Sequence, residues 1–424
     1  MFVERWLLII LANLRVVDRE GAIDLAHGAA YHRRTVDSFA GRIVFNMKKT
    51  QALSRRNFVA GSFGLAVASM PGVRTRALAA VEPAPDREPL RLHRNESPYG
   101  LAPSAAEAVK AAVDSKSFRY PIEEPKALEE MIAKRFGVEK ENVLLGYGSI
   151  EVLKMSTEAF CNSARAAVVA EPTFEAVVGY CPFVHARSIK IKLNADHKHD
   201  LPRMLQASRG AGLIFFCNPS NPAGTFIDKR ETERFVRRLP RGVVLLSDEA
   251  YGDYVDTPEW ESCLRYIKEG LPVVVSRTFS KIYGMAGIRV GYAIGRKDLI
   301  AKMAKRRIAN NPNQLAVAAA MAALKNDGDF VARVRRMNAD VREYVSREVG
   351  AMGFKPIPSQ ANFVMISIGR PAQPVIDELK KRGVLVGRLF PSMPDHVRVS
   401  FGTMAEMKTF VKEFKEVMSA QAAR

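Results

Sequence analysis

The stretch VVVSRTFSK, residues 273–281, decides the fold of this 424-residue chain, because an apolar run ends abruptly there in polar side chains. Three further apolar runs precede it, at 166–170, 213–217 and 243–247. Continuous apolar runs of this length, separated by helical patterns, are typical of parallel strands buried on both faces. The sequence therefore predicts an α/β fold in which helices cover both sides of a mostly parallel sheet.

Polar segments follow these runs directly. They are NPSNPAG (218–224), DEAY (248–251), RTFSK (277–281) and, earlier in the chain, GYGS (146–149) before a predicted helix. The carboxyl ends of parallel strands meet at one edge of a sheet, and ligands of open α/β folds bind at that edge. We therefore expect these four segments to form one site.

Together, the polar groups suit a ligand with a phosphate, a ring nitrogen, an oxyanion and an aldehyde. Gly148 lets the backbone approach a phosphate at a helix start, where free N–H groups point outward. Lys281 can form an imine with an aldehyde, and Asp248 can keep a ring nitrogen protonated. Tyr251 and Asn221 can donate to a phenolate oxygen. Further phosphate donors are Thr278, Ser280 and Arg289. Pyridoxal 5′-phosphate (PLP) has all four of these groups.

The chain resembles the fold-type I, class I/II aminotransferases, and among them the histidinol-phosphate aminotransferases. Besides the four polar segments, the matching segments are NESPYG (95–100), RYP (119–121), PTF (172–174), GIRVG (287–291) and VRVSFG (397–402). They follow the family's order over about residues 90–420. The resemblance implies a large PLP-binding domain, with a mixed, mostly parallel sheet between helices, and a smaller α/β domain. It also implies ping-pong amino transfer between a small-molecule amino donor and a 2-oxo acid.

The resemblance also implies residue roles. Lys281 would be the Schiff-base lysine and proton shuttle, Asp248 would pair with the pyridine nitrogen, and Tyr251 would bind the ring oxygen. The other cofactor-binding residues would be Gly148, Ser149, Ile150, Phe174, Asn221, Thr278, Ser280, Arg289 and, from the neighbouring subunit of a homodimer, Tyr120. The substrate-binding residues would be Arg398, Arg388, Tyr99 and Asn362. No metal site is expected.

The substrate side departs from the family pattern. Gly387 separates the predicted strand from Arg388, and Ser97 stands where the family usually has asparagine. An aromatic or other amino acid is therefore an alternative donor to histidinol phosphate. The same fold also hosts decarboxylases and lyases, and less often a non-catalytic regulatory module. Retention of Lys281 argues against the regulatory alternative.

Residues 47–80 resemble a bacterial twin-arginine export signal. Its parts, in order, are a charged start (48–49), twin arginines (55–56), an apolar stretch (59–70) and small residues for cleavage (77–79). This order predicts a periplasmic protein exported by the twin-arginine machinery. The alternatives are an amphipathic first helix and a cytoplasmic location. Residues 1–46 form an upstream extension of unknown role, and we expect Met47 to be the true start.

The remaining boundaries follow from composition and the resemblance. Residues 81–125 are expected to form an N-terminal arm and part of the smaller domain, 126–312 the large domain, and 313–424 the rest of the smaller domain. The net charge of +19 is densest in the first 79 residues, which carry 12 basic and five acidic side chains. No basic run interleaved with aromatic residues follows, so nucleic-acid binding is not expected. No apolar stretch is long enough for a membrane span, and four cysteines without a C-x-x-C pair predict buried thiols.

Overall fold

The structure, a computed structural model, describes residues 17–18, 21–22, 88–326 and 328–422. The predicted export signal at 47–80 lies outside the described residues. The chain divides into two compact units, 1–84 and 85–424. In the first unit, Val17–Asp18 pairs antiparallel with Gly21–Ala22. The second unit contains the strands and helices from Leu90 to Ala422.

Strands and helices alternate through most of the second unit. The strands are β1 (Leu90–Leu92), β2 (Val143–Gly146), β3 (Ala167–Glu171), β4 (Ser188–Lys192), β5 (Leu213–Cys217), β6 (Val244–Asp248), β7 (Val273–Thr278), β8 (Gly291–Gly295), β9 (Lys355–Pro356), β10 (Phe363–Ser367), β11 (Val384–Val386) and β12 (His396–Ser400). The helices are α1 (Pro103–Lys116), α2 (Glu124–Phe136), α3 (Gly148–Phe160), α4 (Ala176–Tyr180), α5 (Leu201–Ala207), α6 (Lys229–Val236), α7 (Leu264–Lys268), α8 (Lys297–Ala304), α9 (Gln314–Asn326), α10 (Gly328–Ala351), α11 (Gln373–Lys381) and α12 (Met404–Ala422).

The larger sheet has seven strands in the order β2-β8-β7-β6-β5-β3-β4. The pairs from β7 to β4 are parallel, and β8 runs antiparallel to both β7 and β2. The four apolar runs of the sequence form β3, β5, β6 and β7, so the predicted α/β fold with a mixed, mostly parallel sheet is confirmed.

Successive residues of these strands pack in two different cores. In β5, Leu213 and Phe215 contact one core, whereas Ile214 and Phe216 contact the other. Helices α3 and α8 contribute to the first of these cores, and α1, α2 and α9 contribute to the second. Alternate side chains point to opposite faces of a strand, so both faces need apolar residues when helices cover both. This requirement explains the uninterrupted apolar runs.

A separate hydrophobic core lies around two small sheets. One has the antiparallel order β9-β10-β12, and the other is the parallel pair of β11 with β1. Helices α10, α11 and α12 pack against this core. The segment predicted as an N-terminal arm thus contributes a strand to it through β1. The predicted boundaries at 126 and 313 stay predictions, and α1 and α9, which lie beyond them, pack on the larger sheet.

The described residues also bear on the cysteines, on membrane-spanning helices and on metal-ligating clusters. All four cysteines are free and buried, as predicted. Among these residues, no helix combines the length and apolar character needed to cross a bilayer. No cluster of metal-ligating side chains occurs in the described part of the chain either.

Candidate active site

A cavity of about 740 Å³ lies at the carboxyl edge of the larger sheet. Asp248 ends β6, Thr278 ends β7, and Asn221 follows β5. Most of the predicted site residues line this cavity, namely Ser149, Ile150, Phe174, Asn221, Asp248, Tyr251, Thr278, Ser280, Lys281, Arg289, Arg388 and Arg398. Residues at or just after the ends of five strands, β2, β3, β5, β6 and β7, therefore converge, as the sheet-edge argument predicts.

Four residues, Asp248, Tyr251, Lys281 and Arg398, form the floor of the cavity. Lys281 Nζ donates to the carbonyl oxygen of Asn95 at 2.9 Å and lies 5.5 Å from the ring centre of Tyr251. Burial lowers the pKa of Lys281 to about 8, and the positive charge of Arg398 acts in the same direction. A substantial neutral fraction of this amine is therefore available near neutral pH, as a nucleophile or base requires.

Asp248 is a buried carboxylate whose Oδ1 has no hydrogen-bond partner among the described residues. Burial raises the pKa of Asp248 to about 7. A cationic N–H donor placed against Oδ1 would satisfy the oxygen and favour the charged carboxylate. A protonated ring nitrogen is such a donor.

A group of donors lies where α3 begins. Gly148 has a φ of 67°, and a Cβ atom there would lie 2.5 Å from the Arg289 guanidinium. Arg289 Nη1 donates to Ser280 Oγ at 3.3 Å, and the Ser280 N–H donates to Thr278 Oγ1 at 3.1 Å. Glycine at 148 thus lets a cation approach a helix N-terminus, an arrangement that favours phosphate.

Close backbone packing holds this helix start in place. A Cβ atom on Gly291, in β8, would lie 2.4 Å from the backbone nitrogen of Ser149. Glycine at 291 is therefore required for the antiparallel strand to pass directly beside the start of α3. Arg289 itself has a φ of 69° and lies 5.1 Å from the ring centre of Tyr147.

Arg398, in β12, brings a buried cation to the cavity floor. Its Nη1 donates to Asn221 Oδ1 at 2.9 Å, and its Nη2 donates to the His93 carbonyl oxygen at 3.0 Å. The guanidinium carbon lies 5.6 Å from the ring centre of Phe363 and 5.2 Å from that of Phe390. These hydrogen-bond partners are neutral, and Nε has none among the described residues. A buried guanidinium in this state favours an anionic ligand.

The mouth of the cavity, formed by Phe174, Glu175 and Arg388, is more exposed than its floor. Arg388 Nη2 forms an ion pair with Glu175 Oε2, although both side chains are more than half exposed. The Arg388 guanidinium also lies 4.4 Å from the ring centre of Phe390. The predicted anion contact at Arg388 therefore has a carboxylate partner within the chain itself.

Four predicted site residues lie outside the cavity lining. Gly148 adjoins it through the backbone at the start of α3. Tyr99 packs against the larger core, and Asn362 is buried, with its Nδ2 donating to the Glu96 carbonyl oxygen at 3.2 Å. Tyr120 is 75% exposed and does not reach the cavity of its own chain.

The cavity also contains residues to which the sequence analysis gave no role. They are His93, Arg94, Asn95, Glu96, Thr173, Glu175, Ala176, Ala250, Ala286 and Phe390. Asn95 and Thr173 lie inside segments that matched the family, so that match was a usable signal for them. Phe390 lies outside the matched segments, and its ring contact with Arg398 depends on the fold.

The described residues fit PLP as judged from their own chemistry. The buried Oδ1 of Asp248 needs a donor, the start of α3 and Arg289 suit a phosphate, and Lys281 can react with an aldehyde. Asn221 and Tyr251 add further polar side chains to the cavity lining. Fold and cavity together thus define a PLP-dependent transferase of the α/β type.

Comparison with known proteins identifies the family. The sequence model of Aminotransferase class I and II matches residues 87–414. The histidinol-phosphate aminotransferase of Moorella thermoacetica is 35% identical over 337 residues, which cover 78% of this chain and 86% of that protein. The chain belongs to the class I and II aminotransferases and is an aminotransferase enzyme, as predicted. This membership also confirms PLP as the cofactor.

Solved structures agree with this assignment. A putative histidinol-phosphate aminotransferase from Erwinia carotovora atroseptica aligns with a TM-score of 0.76 and 29% identity, covering 78% of this chain and 97% of that one. The histidinol-phosphate aminotransferase from Sinorhizobium meliloti, solved with pyridoxal-5′-phosphate, aligns with a TM-score of 0.73 and 26% identity, covering 82% and 99%. The predicted fold-type I architecture is therefore confirmed.

Proposed function

We propose that this aminotransferase takes its amino group from histidinol phosphate, or from an amino acid with an anionic group, and passes it to a 2-oxo acid. The observation that carries the proposal is Arg398, a buried guanidinium whose hydrogen-bond partners are neutral oxygens. A carboxylate or phosphate of the substrate supplies the missing negative charge. The names of the relatives favour histidinol phosphate within this class.

The floor residues divide the chemical work among them. Bound PLP supplies an aldehyde for covalent attachment of amino groups and a ring that accepts electrons. Lys281 Nζ removes the proton from the substrate α-carbon and returns it during turnover, and its lowered pKa makes the neutral amine available. Asp248 holds positive charge on the ring nitrogen, while Asn221 and Tyr251 bind the ring oxygen. Arg398 orients the substrate anion.

The remaining cofactor contacts are proposed from the family resemblance and from the positions of these residues in or beside the cavity. The start of α3, at Gly148, Ser149 and Ile150, would hold the phosphate together with Ser280 and Arg289. Thr278 accepts from the Ser280 N–H and fixes its position. Phe174, which lines the mouth, would contact the cofactor ring.

A homodimer completes this site in the proposal. Phe118, Tyr120 and Ile122 expose 69%, 75% and 64% of their surface between α1 and α2, which is unusual for large apolar residues. A second copy of the chain would cover them, and its Tyr120 would reach the phosphate. Mixing Lys281→Ala subunits with Tyr120→Phe subunits should restore one intact site per mixed dimer. Activity no greater than the sum of the separate variants would contradict this arrangement.

Export through the twin-arginine machinery is proposed from the sequence at 47–80. The double variant Arg55→Lys, Arg56→Lys should keep the full-length protein in the cytoplasm, whereas the native protein appears shortened in the periplasm. An unchanged distribution in cell fractionation would favour the cytoplasmic alternative.

The experiment that tests the function is a visible spectrum of the purified protein, followed by a panel of donors. The native protein should absorb near about 420 nm, and borohydride should abolish that band by reducing the bond between Lys281 and the cofactor. Histidinol phosphate or another anionic donor should then shift the band to shorter wavelength and yield the corresponding carbonyl product. Release of carbon dioxide without amino exchange would instead favour the decarboxylase alternative. A protein that binds cofactor and reacts with no donor would favour the regulatory one.

A further inference from the structure

Asn95 connects the two reactive groups of the cavity floor. It follows β1, is 2% exposed and has a φ of 55°. Its carbonyl oxygen accepts from Lys281 Nζ at 2.9 Å, and its side-chain Nδ2 donates to Tyr251 Oη at 3.1 Å. A single residue from the N-terminal part of the second unit therefore contacts both the amine and the phenol.

Ser400 determines which way the Asn95 amide faces. Ser400 Oγ accepts from the Asn95 backbone N–H at 2.8 Å, so its own hydrogen is free to donate. That hydrogen goes to Asn95 Oδ1 at 2.9 Å. Because the oxygen of the amide faces Ser400, its NH₂ group must face Tyr251.

Arg398 determines the orientation of Asn221 in the same way. A guanidinium can only donate, and Arg398 Nη1 lies 2.9 Å from Asn221 Oδ1. The Asn221 NH₂ group therefore faces Tyr251 Oη, at 3.4 Å. The phenol oxygen thus accepts hydrogen bonds from two amides whose orientations are fixed independently.

The single hydrogen of the Tyr251 hydroxyl cannot point at either amide, because both present N–H groups. The direction left to it is the cavity. We propose that Asn95 is a positioning residue that directs the Tyr251 O–H toward the cofactor ring oxygen and whose carbonyl oxygen holds the Lys281 amine when that amine is free. This inference rests on the roles proposed above for Tyr251 and Lys281.

Two substitutions change the Asn95 side chain and leave its backbone carbonyl in place. Asn95→Gly retains the backbone carbonyl and tolerates the positive φ, so it removes only the amide. Asn95→Asp keeps the size of the side chain and places an acceptor beside Tyr251, which draws the O–H away from the cavity. Ser400→Ala is a third, milder variant, because it removes the contact that orients the amide.

The measured quantity is the midpoint pH at which the visible absorbance band of the PLP-loaded protein shifts in wavelength. A hydrogen-bond donor to the cofactor ring oxygen stabilises negative charge on that oxygen. When the donor is lost, the imine nitrogen between Lys281 and the cofactor stays protonated to a higher pH. Asn95→Asp should raise the midpoint by about one pH unit, equivalent to a tenfold change in acidity. Asn95→Gly and Ser400→Ala should raise it by smaller amounts.

A double-mutant cycle tests whether Asn95 acts through Tyr251. In a Tyr251→Phe background the hydroxyl is absent, so Asn95→Gly should shift the midpoint no further. An equal shift in both backgrounds, or none in the native background, overturns the proposal. If Asn95→Gly does not fold, Ser400→Ala provides the same comparison. A native protein that shows no titrating visible band would contradict the proposed role of Lys281 instead, so the two failures are distinguishable.

Discussion

The floor and the mouth of the cavity differ in how firmly their side chains are held. On the floor, the buried side chains of Tyr251 and Arg398 each make two hydrogen bonds. At the mouth, Glu175 and Arg388 form an exposed ion pair, and such pairs contribute little to stability. The floor side chains are therefore held more firmly than those at the mouth, where the exposed ion pair can rearrange.

The largest expected effect comes from the floor, at Lys281. Lys281→Ala removes both the covalent anchor and the base, so kcat should fall by roughly a thousandfold or more. Steady-state kinetics and loss of the borohydride-sensitive band measure this change. Lys408→Ala, an exposed lysine in α12, serves as the control and should leave both unchanged. Comparable loss in the two variants would contradict a special role for the floor.

The next effect concerns Asp248. Asp248→Asn keeps the shape of the side chain but removes the charge that holds a proton on the ring nitrogen, and kcat/KM should fall by roughly a hundredfold or more. Asp253→Asn is a matched control, because Asp253 pairs with Arg277 at 3.4 Å and does not line the cavity. Near-native activity in Asp248→Asn would show that the unpaired Oδ1 does not face the cofactor.

Much of the floor could be predicted from the sequence, because β-strands that end in polar residues place those residues at a common edge. Lys281, Asp248 and Tyr251 are identified in this way. Asn95 received no role, since its importance comes from a positive φ and from contacts with Tyr251 and Ser400 that are distant in sequence.

The mouth was less predictable for a related reason. Arg388 and Glu175 are 213 residues apart, and no local pattern indicates that they pair. Tyr99 and Asn362 were predicted as substrate contacts, but in this structure they pack outside the cavity lining. The sequence periodicity that identifies strands does not show which side chain of a loop faces a ligand.

A third test compares floor and mouth directly through their arginines. Arg398→Lys loses the planar guanidinium, so KM for anionic donors should rise by about ten- to a hundredfold. Arg388→Lys should raise it by a smaller factor, because Arg388 is already paired with Glu175. Initial-rate kinetics with histidinol phosphate and with an anionic amino acid measure both values. A larger effect at Arg388 would reverse the order proposed here.

The pH dependence of cofactor uptake tests the floor without turnover. The Lys281 amine is protonated, and unreactive, below its pKa of about 8. The rate at which the cofactor-free protein forms the lysine bond should therefore rise by about tenfold per pH unit below that value and level off above it. Stopped-flow absorbance follows the reaction. A rise that continues past about pH 10, the ordinary range for lysine, would contradict the lowered pKa.

The smallest effect is expected at the mouth. Glu175→Gln releases Arg388 from its ion pair, so kcat/KM for donors with a second anionic group should increase by about two- to fivefold. Donors with a neutral side chain should be unaffected. Glu107→Gln, which breaks an exposed ion pair with Lys110 far from the cavity, is the control. Equal changes for both kinds of donor would show that Glu175 does not contribute to the choice of donor.

The pairing of β1 with β11 affects the order in which the parts of the site can fold during synthesis. The strands of the larger sheet lie within 143–295, so that sheet can assemble while the chain is still being synthesised. Leu90, in contrast, has to wait for Val384, and Asn95 has to wait for Ser400. The earliest-made segment of the second unit is thus among the last to take its place. A chain released before residue 400 would contain Lys281 but would lack Ser400, whose hydrogen bonds hold Asn95 beside Lys281.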